Sequence, residues 1–145
     1  MLTNRSVPVD TVLPHVSYND LPRALEWLTA TFGFVEHYRY GDPLSGVQVH
    51  LGNAWVMLNA ARSDRKSPAQ LGYGTQMLTI FVDNVETHFA HSRNAGARIV
   101  EGLHETIYGE MQYGVEDLEG HHWVFSRHAH DVDPAEWGAR VLNPL

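Results

Sequence analysis

The sequence predicts an α+β fold in which one small unit is used twice, and three observations carry that prediction. The order strand–helix–strand–strand–strand can be read along the chain two times. The segments Asp20 to Gly33 and Asp83 to Gly96 are equally long, and each opens on a capping residue and closes on glycine. Finally, Leu51-Gly52-Asn53-Ala54-Trp55-Val56-Met57-Leu58-Asn59 shares its grammar with Asp117 to Arg127: turn residues lead into an aromatic and β-branched run.

Each element has its own signal. Residues 1–9 read as a loose lead-in, and Thr11 to Tyr18 as a strand whose Pro14 points to an edge or a bulge. Asn19-Asp20 caps a helix with Pro22 in its first turn. Leu21, Ala24, Leu25, Leu28 and Phe32 recur at helical spacing, and Gly33 stops it. Phe34 to Tyr40 is a second strand. Val47 to Leu51 and Ala54 to Asn59 form a hairpin across Gly52-Asn53, a dipeptide suited to a two-residue turn. Polar, poorly periodic residues follow and read as a linker over 61–73. In the second unit, Gln76 to Val82 is a strand. Asp83-Asn84 caps a helix carrying Val85, Phe89 and Ser92, and Arg98 to Glu101 is a strand. Met111 to Val115 and His122 to Ser126 pair as a hairpin. The expected organisation is one domain over 1–145: module one over about 10–60, module two over about 74–128, and a tail over 129–145 that packs on the body or a partner.

Composition narrows the function. With 145 residues, 43% hydrophobic and 19% charged, the chain can bury a core and is not of disordered type. Its formal charge of −7, with no evident Lys/Arg cluster, argues against nucleic acid or an anionic membrane as partner. It also favours a cationic or neutral ligand slightly over an anionic one. Cysteine is absent, which removes disulfides, thiolate metal sites and a Cys nucleophile. No apolar run approaches a membrane span and Met1 to Asp10 lacks a signal-like core, so a cytoplasmic location is expected.

Tyr18-Asn19-Asp20 before a helix ending Phe32-Gly33-Phe34 resembles the vicinal-oxygen-chelate superfamily of glyoxalases, bleomycin-resistance proteins and extradiol dioxygenases. Val82-Asp83-Asn84, Ala95-Gly96-Ala97, Tyr108-Gly109 and Asp117-Leu118-Glu119-Gly120-His121-His122-Trp123 carry the same resemblance, with Leu118 where that family usually has Pro. The resemblance runs from about Val12 to Arg127. It implies paired βαβββ modules whose mixed sheets curl into cups, and a homodimer. It also implies a divalent metal held by one side chain from the first and last strand of each module.

Strand alternation tests the metal expectation, because residues two apart share a face. The hairpin pairs His50 with Trp55, Gln48 with Met57 and Gly46 with Asn59. The other face, Val47, Val49, Leu51, Ala54, Val56 and Leu58, is aliphatic and suits the helix. Leu13, His15 and Ser17 join the first cup. Thr75, Met77, Thr79 and Phe81, with His122, Val124 and Ser126, line the second. The family's four ligand positions then fall on Leu13, Met57, Met77 and Val124, none suited to a hard or borderline cation. No cofactor is expected. The remaining route to a divalent metal is a rearranged site of His15, His50 and His122 from separate strands.

The ligand-binding residues expected from these faces and loops are His15, Gln48, His50, Trp55, Met57, Asn59, Tyr108, Tyr113 and His122. Tyr108, in a loop beside Gly109, is placed to gate the site. Glu110 near the mouth has the chemistry of a general base, though a loop Glu is usually solvated. Trp123, opposite Val124, is expected in the core. No catalytic residue is assigned. The reading that follows is a metal-free small-molecule binding protein of the bleomycin-resistance type. The alternative is a glyoxalase-like lyase or isomerase, or a dioxygenase, working through His15, His50 or His122, since histidine exchanges protons near neutral pH.

Overall fold

The computed structural model describes residues 3–8 and 11–145, so the expectations for positions 1, 2, 9 and 10 lie outside the described residues. The chain divides into two compact units. One runs to Gln76 and includes Asp117–His121, and the other comprises Met77–Glu116 and His122–Leu145. Two four-stranded mixed sheets with a few helices make this the α+β class that the sequence predicts.

In the first unit, β1 (His15–Tyr18), α1 (Leu21–Phe32), β2 (Val35–Tyr40), β3 (Gly46–Leu51) and β4 (Ala54–Ala60) follow one another, and the sheet order is β1-β4-β3-β2. Strand β1 runs parallel to β4, and the other pairs are antiparallel. The hairpin register is the expected one, His50 opposite Trp55, Gln48 opposite Met57 and Gly46 opposite Asn59. Strand β1 is shorter than the Thr11 to Tyr18 expected. Pro14 has no N–H to give a ladder, and it contributes only its carbonyl, which accepts from Met57 N at 2.8 Å.

Helix α1 starts where Asp20 accepts from Arg23 N at 3.2 Å, and it ends at Gly33, whose φ of 84° suits the left-handed closing turn. It packs on β1 and β4. Its buried Leu21, Ala24, Leu25, Leu28 and Phe32 complete a core with Val16, Tyr18, Val47, Val49, Val56 and Leu58. Burying aliphatic side chains of this size stabilises by about 1.5–3 kcal/mol each, so this layer fixes which face of the sheet stays open.

The segment expected to be a plain linker has structure. Arg62 and Arg65 close a bridged turn, and Pro68–Leu71 forms α2, with Ser67 N accepted by Gln70 Oε1 at 2.8 Å. A single helical turn is too short to show a period, which is why the sequence pattern missed it.

In the second unit the order repeats as β5 (Met77–Phe81), α3 (Val85–Asn94), β6 (Arg98–Glu105), β7 (Glu110–Glu116) and β8 (His122–His128), with sheet order β5-β8-β7-β6. Asn84 caps α3 by accepting from Thr87 N at 3.0 Å. Strand β6 runs past the expected end at Glu101 because two irregularities in its register, between Ile99 and His104, break the alternation without ending the pairing. Trp123 is buried, as expected for the face shared with Tyr113 and Phe125. In the tail, a 3-10 turn at Pro134–Trp137 sets Trp137 edge-on to Tyr108, ring centroids 5.8 Å apart.

Candidate functional site

The face of the first sheet turned away from α1 carries His15 and Ser17 of β1, Met57 and Asn59 of β4, and Gln48 and His50 of β3. It has a closed end and an open end. At the closed end Gln48 is fully buried, its amide donating to Ser6 O at 2.8 Å and its carbonyl oxygen bonded to His37 Nδ1 at 2.6 Å. Tyr38 donates to the same Ser6 carbonyl at 3.1 Å, and Met57 beside it is buried. His50 stacks on Trp55 at 4.4 Å, and His37 meets Trp55 edge-on at 5.3 Å. Gln48 and Met57, expected to line an open cup, are therefore buried, Gln48 against Ser6 and His37 and Met57 beside Tyr38. His37 was missed for a local reason. The β2 register shifts between Glu36 and Tyr38, and a bulged residue does not obey alternation.

The open end is a cavity of about 540 Å³ lined by His15, Ser17, Tyr40, Ser45, Asn59, Ala60, Ala61, Arg62 and Arg65. Of the nine expected ligand residues, only His15 and Asn59 lie on it. Asn59 Nδ2 donates to His15 Nδ1 at 2.9 Å, which makes Nε2 the protonated, donating nitrogen of that ring. The Tyr40 ring lies against the Gly46 backbone. A Cβ on Gly46 would come within 2.5 Å of two ring carbons, so glycine there makes the slot in which the ring rests. Tyr40 is still half exposed, which leaves aromatic surface at the cavity edge. A second cavity of about 290 Å³ shares His15, Ser17 and Arg65, and adds Asp64, Lys66, Tyr73 and His121 among others. Sequence reasoning missed Tyr40, Arg62 and Arg65. The Gly46 opposite Tyr40 was a usable signal, since a strand glycine often marks close approach.

The wall of the first unit is braced by the loop Asp117–His121. Tyr18 donates to Asp117 at 2.6 Å, and Glu119 accepts from Asn19 N and Asp20 N at 2.7 and 2.9 Å. His121 Nε2 bonds Ser17 O at 2.7 Å. Burial, then the neighbouring Asp117 carboxylate, holds the Tyr18 hydroxyl well above the ordinary tyrosine range. His121 thus has a bracing contact, while His122, one residue on, begins β8 on a separate face.

In the second unit His122 lies opposite Met77, and its Nε2 sits 3.3 Å from where a Gly114 Cβ would be. Tyr108 is partly exposed and donates to Gln112 Oε1 at 3.2 Å. Tyr113 does not belong with them. It pairs with Phe125 on the opposite face, is fully buried, and donates to Ser92 Oγ at 2.9 Å beneath α3. Tyr113, expected among the ligand-binding residues, is instead a core residue under α3. Glu110 is not the solvated loop residue expected: it opens β7 and bonds His128 Nδ1 at 3.1 Å.

The side chains at the four positions that the resemblance assigns to metal ligands do not fit a divalent cation. Leu13, Met57, Met77 and Val124 stand at the four positions, and a thioether or an aliphatic group makes no bond to a hard or borderline cation. Among the described residues, no group of three His, Cys, Asp or Glu side chains comes together.

Paired βαβββ units, each with one sheet face under a helix and the other turned away from it, define a fold that carries many small-molecule chemistries. The chain belongs to the Glyoxalase/Bleomycin resistance protein/Dioxygenase superfamily, whose sequence profile matches residues 10–125. Among solved structures it is similar to TioX from Micromonospora sp. ML1, at 31% identity and a TM-score of 0.71, covering 83% of this chain and 99% of that one. It shares its fold with TnmS3, an antibiotic binding protein from Streptomyces sp. CB03234, at 20% identity and a TM-score of 0.66, covering 85% of this chain and 99% of that one. It is also 27% identical over 132 residues to an uncharacterized protein of Mycobacterium tuberculosis, covering 85% of this chain and 77% of the relative. Among the described residues no helix is long and apolar enough to cross a membrane.

Proposed function

We propose that this protein binds a small organic molecule, in the manner of bleomycin-resistance proteins, and does so without a divalent metal. The observation that carries the reading is the cavity of about 540 Å³ on the open end of the first sheet. Its volume suits a drug-sized ligand, and its wall carries several hydrogen-bonding groups, among them His15, Ser17, Ser45 and Asn59. His15 and Asn59 orient each other through their 2.9 Å hydrogen bond, so both arrive preset for a ligand. The likeness to an antibiotic binding protein agrees with this reading, as do the four unsuitable metal positions. A cytoplasmic homodimer is part of the proposal. Met77 and Phe81 present exposed apolar surface on one face of the edge strand β5, 60% and 61% accessible, for a second copy to cover.

The test is a thermal-shift screen of planar organic compounds on protein purified without a polyhistidine tag, run with and without EDTA, alongside metal analysis. Stabilisation by a compound that EDTA does not diminish is the expected result. Replacing either His15 or Asn59 by Ala is expected to weaken that compound about fivefold or more, the worth of one hydrogen bond. Stoichiometric metal that is lost on His15→Ala or His122→Ala would sink the proposal and favour an enzyme with a rearranged histidine site.

A further inference from the structure

We infer that the ligand of this cavity is a planar organic anion, its flat ring on Tyr40 and its anionic group between Arg62 and Arg65. The inference rests on the binding reading above and names the class of ligand. It begins with the bridged turn. Arg62 N donates to Arg65 O at 2.8 Å and Arg65 N to Arg62 O at 3.2 Å, so the two residues face each other as an antiparallel pair. Side chains of directly opposed residues stand on the same side, and both arginines line the cavity. Like charges held opposite each other are unfavourable unless something negative is shared between them.

The protein's own carboxylates offer little. Asp64 stands 3.6 Å from Arg62 Nε and 3.8 Å from Arg65 Nη1, both long for a charge-assisted hydrogen bond, and all three side chains are mostly exposed. Among the described residues no carboxylate lines the larger cavity, and Asp64 alone lines the smaller. Lys66 adds a third positive charge on the smaller cavity's wall. Two of the chain's 10 basic residues therefore line the larger cavity and a third lines the smaller one that shares Arg65 with it, on a protein whose net charge is −7. A cluster of one sign against that background focuses the local field on anions.

The rest of the wall matches the ligand class. Guanidinium forks recognise carboxylate and similar oxyanions through paired hydrogen bonds. Ser17, Ser45 and the donating Nε2 of His15 add neutral donors around the same space. Tyr40, fixed in the slot over Gly46, supplies a flat surface, which a ring covers better than a flexible chain does. The −7 net charge suggested a cationic or neutral ligand. The local charge at the cavity reverses that expectation.

Naphthoate, naphthylmethanol and naphthylmethylammonium share a ring and differ in charge, and calorimetric titration of each at low and high NaCl tests the inference. Naphthoate is expected to bind at least about tenfold tighter than the other two, with the advantage shrinking in salt. An Arg62→Gln/Arg65→Gln variant is expected to lose that preference while keeping its melting temperature, since both side chains are exposed. Tyr40→Ala is expected to weaken all three alike, by several-fold, leaving their ratio unchanged. If the three bind equally, or the ammonium binds best, the inference falls and the ligand-binding reading stands. A carboxylate preference that survives in the double variant also overturns it. If none of the three binds, both readings fail at this cavity.

Discussion

Gly46 is the residue at which sequence, packing and binding are most directly linked. A side chain there would fit the strand better by propensity, since glycine weakens a strand interior. Its cost is accepted because the Tyr40 ring occupies the space where a Cβ would be, 2.5 Å from Cε1 and Cζ. Tyr40 is 51% exposed, so its ring can swing into solvent when displaced. Gly46→Ala is therefore expected to change stability by no more than about 1 kcal/mol in urea denaturation. Its affinity for an aromatic probe should nonetheless fall several-fold, to the level of Tyr40→Ala, with no further loss when the two are combined. A Gly46→Ala protein that binds the probe normally would show that Tyr40 is not a platform. The same residue illustrates what alternation can and cannot give. Gly46 opposite Asn59 was readable from the turn, whereas the tyrosine lying over it comes from β2, beyond a bulge at His37 that shifts the register.

At the level of elements, caps and turns were the legible part. Asp20 and Asn84 both accept from the N–H three residues on, and the Gly52-Asn53 turn sets the hairpin register in full. These features are local, so a few adjacent residues encode them. What was not legible depends on contacts distant in sequence. The loop Asp117–His121 joins β7 to β8 yet belongs to the first unit, where Glu119 takes the N–H groups of Asn19 and Asp20 just ahead of α1. Those partners are 100 and 99 residues away, and no local pattern announces them. Glu119→Ala leaves both donors without their acceptor in a partly buried place, which is expected to cost about 1–3 kcal/mol. Asn19 and Asp20 amides should then exchange faster than the rest of the α1 region in hydrogen-exchange measurements. Uniform exchange across α1 in that variant would mean that Glu119 is not what holds this junction. The Arg62–Arg65 turn was hidden for a related reason: Arg-Ser-Asp-Arg-Lys reads as mixed charge until the bridge sets both guanidinium groups on one side.

Over the whole molecule, each unit buries one tyrosine hydroxyl, and this ties stability to alkaline pH in a way that also reports on the two units. Burial raises Tyr18, with the Asp117 carboxylate adding to it, and burial raises Tyr113 against the opposing hydrogen bond to Ser92. In the unfolded chain both hydroxyls lose their protons at the ordinary value of about 10. Below that pH folded and unfolded states bind the same protons, and these groups leave stability unchanged. Above it the unfolded state holds fewer protons than the folded one, so stability falls as pH rises toward the higher folded values. Tyr18→Phe keeps the ring against His121, 4.9 Å away, and leaves Asp117 its bonds from Glu119 N and His121 N. That variant should lose stability less steeply above about pH 10. Trp55 reports on the first unit and Trp123 on the second, in separate single-tryptophan backgrounds. If the units unfold together, Tyr18→Phe will soften the alkaline slope at both tryptophans alike. If they unfold separately, it will soften the slope at Trp55 while leaving Trp123 to follow Tyr113. An alkaline slope unchanged at both tryptophans in the Tyr18→Phe/Tyr113→Phe double variant would remove these hydroxyls as its cause.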